Sequence, residues 1–122
     1  MARVTHFEIA VDDPQTSIDF YQNVFDWQVN KWEGPIEYWL IGTGESDTPG
    51  IDGALAPRAD QQNQPITIVI EVEDAAAYIE KVAANGGEVI GELQEIPGVG
   101  ISGYFRDPAG NILGLMQSFP MD

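Results

Sequence analysis

The residues able to do chemistry in this chain are few. It has no cysteine and a single histidine, His6. Disulfides, thiolate metal sites, iron–sulfur clusters, cysteine nucleophiles and multi-histidine metal centres are thereby excluded. His6 and Glu8 stand two apart in a β-rich run, so they share one strand face about 6.5 Å apart along the strand. Glu71 lies on the corresponding face of a second such run, four residues beyond Thr67. One imidazole with one or two carboxylates can do acid–base work, the carboxylate orienting the ring. A histidine plus two carboxylates is also an acceptable facial set for iron or manganese, provided all three lean toward one point. Solvated acids beside a structural histidine are the plain alternative. Gly98-Val99-Gly100 and Gly42-Thr43-Gly44 are read as turn glycines, because no phosphate-loop lysine follows them. Ser17 and Ser102 lack the spacing of a nucleophile triad. Asp107-Pro108-Ala109-Gly110-Asn111 is too short for a calcium loop and reads as a hairpin turn.

The elements that must position these groups follow from periodicity. With 122 residues, 43% of them hydrophobic, the chain is long enough to bury a core and is expected to be one domain. Second-half residues repeat the first at an offset of 61: Ile70 on Ile9, Val72 on Val11, Asp74 on Asp13, Ile79 on Ile18, Ile90 on Val29. The chain therefore reads as two modules, about 1–59 and 66–122, joined by a linker at 60–65.

Each module opens with a strand, Val4–Val11 or Ile66–Val72. Phe7, Ile9 and Val11 share one face of the first strand, with His6, Glu8 and Ala10 on the other. In the second, Ile66, Ile68, Ile70 and Val72 form the apolar face, with Thr67, Val69 and Glu71 opposite. An Asp-capped helix follows each strand. Asp12-Asp13-Pro14 starts the first, and Ile18, Tyr21, Val24 and Phe25 recur at helical spacing. Glu73-Asp74 starts the second, and Asn85-Gly86-Gly87 ends it, with Asp26 expected at the position of Gly87. Three further extended stretches complete each module: Gln28–Trp32, Ile36–Gly42 and Ile51–Ala56, then Glu88–Gln94, Gly100–Arg106 and Ile112–Gln117. The predicted order is βαβββ–βαβββ.

The run from His6 to Pro14, with Ser17 to Trp27, resembles the opening of vicinal oxygen chelate proteins, the glyoxalase / bleomycin-resistance / extradiol-dioxygenase superfamily. The run from Gly103 to Gln117 is similar to that family's last hairpin. The resemblance implies an α+β fold in which two βαβββ modules form a curved mixed-sheet cup, helices on its convex face, with His6 and Glu8 pointing into the cup. It also implies a divalent metal held by four side chains, from the first and last strands of each module. Carried over by position, His6 matches. Thr67, Gly53 and Gly114 do not, so no full metal site and no cofactor are expected. The expected pocket lining is His6, Glu8, Trp39, Thr67, Glu71, Tyr104, Ile112 and Met116. Either Tyr38 or Trp39 must face inward, since strand neighbours point oppositely.

Three functions remain open at this point. One is a small-molecule binding protein of the bleomycin-resistance type. Another is a metal-dependent lyase or dioxygenase. The third is a metal-free isomerase or lyase using His6 with Glu8 or Glu71. The resemblance implies a homodimer. Twenty acidic against five basic residues, a formal charge of −15, make nucleic acid and anionic membranes poor partners. No apolar run approaches the length of a membrane helix, and residues 1–13 hold no long apolar core, so a secretory leader is not expected and the cytoplasm is the expected compartment.

Overall fold

The structure is a computed structural model and describes residues 2–34, 36–58 and 65–120. Most of the 60–65 linker lies outside the described residues. The element order is β1 (Arg3–Val11), α1 (Pro14–Phe25), β2 (Gln28–Lys31), β3 (Trp39–Gly42), β4 (Asp52–Pro57), β5 (Ile66–Glu71), α2 (Ala75–Ala84), β6 (Glu88–Ile96), β7 (Gly100–Arg106) and β8 (Ile112–Ser118). The fold is α+β, and its order is the predicted double βαβββ. The chain divides into two compact units, one spanning His6–Thr67 and the other combining residues 2–5 with 68–120.

Within the first unit the strands run in the order β2-β3-β4-β1. β1 and β4 are parallel, and the other neighbours are antiparallel. The face carrying Phe7, Ile9 and Val11 is closed by α1. Val11, Ile41 and Leu55 form the buried centre, with Ile18, Tyr21 and Trp27 packed against it. α1 starts where Asp13 accepts a hydrogen bond from the Thr16 N–H at 3.3 Å, which satisfies an otherwise unpaired first-turn donor. It stops at Asp26, whose φ of 58° is left-handed.

The second unit repeats the plan in the order β5-β8-β7-β6, again with one parallel pair, β5 with β8. Val72, Ala75 and Leu115 form its buried centre beneath Tyr78 and Ile79 of α2. Asp74 caps α2 through the Ala77 N–H at 3.2 Å. The Gln117 side chain takes a further first-turn donor, the Ala75 N–H, at 2.9 Å.

Three expectations change. The left-handed residue after α2 is Gly86 (φ 92°), so Asp26 corresponds to Gly86 and not to Gly87. β3 begins at Trp39 rather than Ile36, and just before it the Trp32 N–H bonds the Tyr38 carbonyl at 2.8 Å. On β5 the apolar face is only half covered. Ile66 and Ile68 are exposed, while Thr67 and Val69 are buried at 4% and 7%. The ten-residue α2 packs over Ile70 and Val72 and does not extend to the earlier pair.

Candidate functional site

β1 brings His6 and Glu8 to one face, as alternation requires. Register with β4 sets Asp52 beside His6 and Ala54 beside Glu8. Tyr38, just before β3, lies on the same face, and its hydroxyl links the two β1 side chains. His6 Nε2 lies 2.9 Å from the Tyr38 hydroxyl oxygen. That hydroxyl donates to Glu8 Oε2, also at 2.9 Å. A phenol has one proton to give, and it goes to the carboxylate. The hydroxyl oxygen must therefore accept from His6, which places the ring proton on Nε2. The result is a directed chain from imidazole through phenol to carboxylate.

Aromatic contacts hold this chain in place. The His6 and Tyr38 rings stack at 6.4 Å, 15° apart, and Trp32 meets Tyr38 edge-on at 6.1 Å. Trp32 itself folds over Gly34, where any Cβ would strike the indole. Burial lowers the His6 pKa below the usual imidazole range. The neighbouring Glu8 and Asp52 carboxylates oppose that shift, but desolvation outweighs them. His6 is thus a neutral donor near pH 7. Asp52 is itself held by the Thr43 N–H at 2.9 Å.

Tyr38, and not Trp39, is the aromatic beside His6. Trp39 pairs with Leu55 across β3 and β4 and packs on the Val11–Ile41–Leu55 centre, with Lys31 5.7 Å over its ring. The run Tyr38-Trp39-Leu40-Ile41 is apolar throughout, so alternation showed that one aromatic faces the site without choosing it. The phase is set by Ile41, which is only 2% exposed.

Gly53 also moves. It pairs with Phe7, and a Cβ there would lie 2.5 Å from the Phe7 ring, so it belongs to the α1 face. In β8, Gly114 pairs with Val69, whose counterpart Glu8 pairs with Ala54. The offset is therefore 61 in the first strands and 60 in the last, and Ala54 replaces Gly53 as the position on the His6 face. Ala54 supplies no ligand atom either.

The other expected residues are placed as follows. Thr67 is buried. Glu71 accepts from Ser118, from the N–H at 2.9 Å and the hydroxyl at 2.8 Å, so it ties β5 to the end of β8. Tyr104 lies across from Gly114, its ring 3.3 Å from where a Cβ would sit. Met116 pairs with Ser102 and Glu71, and Ile112 is buried beside Arg106 in register.

These positions do not fit the divalent metal that the resemblance implies. Ala54, Thr67 and Gly114 bring no imidazole or carboxylate, and His6 Nε2 is engaged with Tyr38. Among the described residues no three His, Asp or Glu side chains converge as a metal-binding group.

Known proteins agree with the fold. The family model of the glyoxalase/bleomycin resistance protein/dioxygenase superfamily matches residues 3–115. The putative glyoxylase CFP32 of Mycobacterium tuberculosis is 28% identical over 115 residues, which are 93% of this chain and 43% of that protein. The anthracycline biosynthesis protein DnrV of Streptomyces peucetius is 29% identical over 135 residues, covering 95% of this chain and 47% of that protein. The chain thus spans less than half the length of these two relatives. The crystal structure of a Streptomyces coelicolor methylmalonyl-CoA epimerase variant, in complex with 2-nitronate-propionyl-CoA, superposes with a TM-score of 0.71 at 20% identity, covering 97% of this chain and 98% of that one. Among the described residues no helix is long and apolar enough to cross a membrane.

Proposed function

This chain belongs to the glyoxalase/bleomycin resistance protein/dioxygenase superfamily, and from that premise we propose that it binds a small organic molecule at His6, Tyr38 and Glu8 without a metal at the family's four ligand positions. The observation that carries the reading is the chain of two 2.9 Å hydrogen bonds through the Tyr38 hydroxyl. It fixes a neutral imidazole, a phenol and a carboxylate side by side, with the ring proton given to Tyr38 and Nδ1 an acceptor. Trp32 adds a flat apolar wall next to Tyr38. Such a set recognises a flat or partly apolar molecule carrying a hydrogen-bond donor.

Elemental analysis of the purified protein and a thermal-shift screen of aromatic, thioether and cationic compounds test this together. The expected result is no stoichiometric divalent metal, and at least one compound whose stabilisation is lost in Tyr38→Phe. A stoichiometric ion released by His6→Ala would overturn the reading.

The same chain favours a second reading, a metal-free isomerase or lyase. A neutral imidazole linked through a phenol to a carboxylate can pass a proton between substrate and protein. Once a ligand is known, its turnover by the native protein and not by His6→Ala distinguishes catalysis from binding alone.

A further inference from the structure

At the C-terminal end of α1, along the edge strand β2, a groove of 390 Å³ is walled by Gln22, Asp26, Trp27, Gln28, Val29 and Asn30. β2 is the edge strand of the first unit, three strands from β1, so the groove is remote from His6. We propose that this groove is a separate binding site for a small organic cation, such as an alkylammonium. Four features of the groove favour positive charge. It lies at the C-terminal end of α1, where the backbone dipoles sum to a partial negative charge. No basic residue occupies the last turn to offset that charge. Asp26 adds a full carboxylate at the cap, on a backbone fixed by its own N–H bonding the Gln22 carbonyl at 3.1 Å.

Trp27 supplies the fourth feature, an indole whose π-system attracts cations more strongly than other rings do. It is held by stacking on Tyr21 at 5.1 Å and on Phe25 at 5.4 Å. The amide oxygen of Gln22 can accept from an ammonium or a guanidinium. The unit's own cations are engaged elsewhere. Lys31 sits over Trp39 at 5.7 Å, and Arg58 pairs with Asp12 at 3.2 Å. The volume suits a head group with several carbons rather than a bare ion.

The test is a titration of isotope-labelled protein with n-butylammonium chloride, and in parallel with n-butanol, followed by NMR at the Trp27 indole N–H. The expected result is a saturable shift with the ammonium only, weakened at least about threefold in Asp26→Asn. Asn keeps the left-handed backbone, so this variant removes charge without removing the cap. In Gln22→Lys a tethered ammonium enters the groove, and the added ligand no longer shifts the indole. Three results overturn the proposal: equal shifts with butanol, unchanged affinity in Asp26→Asn, or saturation at the His6 ring signals in place of the indole.

Discussion

The two modules share a plan and differ in what they place on it. In both, the face under the helix is apolar, with Ile9 and Val11 answered by Ile70 and Val72. On the opposite face the same strand positions diverge completely. His6 and Glu8 carry a hydrogen-bond chain through Tyr38, while their counterparts Thr67 and Val69 are buried beside a strand that offers Gly114. Packing under a helix constrains size and polarity at every second position, so the repeat survives there. The other face does not pack under its module's helix, and one module can hold polar chemistry there without altering the fold it shares.

The largest effect should come from the shared part. Leu55 and Leu115 are the corresponding core residues, 0% and 3% exposed. Leu55→Ala and Leu115→Ala should each lose about 2–5 kcal/mol in denaturant titration. A loss below about 1 kcal/mol at either site would mean that one core is far looser than the other and that the symmetry is only of chain path.

The unshared part should respond less in stability and more in binding. Tyr38→Phe removes the hydroxyl that both His6 and Glu8 use, at a cost of about 1–2 kcal/mol. A double-mutant cycle with Glu8→Gln should show coupling, since the two changes break one interaction. Strict additivity would mean that the chain of bonds is not formed in solution.

This division also marks what the sequence makes legible. Alternation in β1 placed His6 and Glu8 together, and the aspartates before each helix located both starts. Those are local signals with local physics. Tyr38 was not legible, because four consecutive apolar residues leave the phase of β3 open until Ile41 is known to be buried. Gly53 was misplaced for a related reason. A constant offset presumes equal connections in both modules, and the path from β1 to β4 in the first is one residue longer than that from β5 to β8 in the second. Nor could the pattern on β5 reveal that α2 covers only its far end.

The helix ends allow a finer comparison. Asp26 and Gly86 both adopt a left-handed backbone, at φ 58° and 92°. Glycine does so without steric penalty, and aspartate does not. Asp26→Gly should therefore raise stability by about 0.5 kcal/mol, and Gly86→Asp should lower it by about 1 kcal/mol. Matching melting shifts of the same sign would show that the two caps are not equivalent.

The smallest effect is a pH dependence that only the first module can have. Burial holds the folded His6 pKa below its unfolded value. Between the two values the unfolded chain binds more protons, so stability rises with pH in that window. The contribution is fully present above the usual imidazole range and is lost as the pH falls through the folded value. NMR titration of the single histidine should give a midpoint below that of the urea-unfolded chain. His6→Gln should flatten the stability profile across the same window and leave the more acidic carboxylate limb in place. Equal midpoints in the folded and unfolded chains would show that the ring is solvated as in a peptide. Tyr38 would then not be shielding it, and the difference between the two modules would reduce to the identity of two side chains.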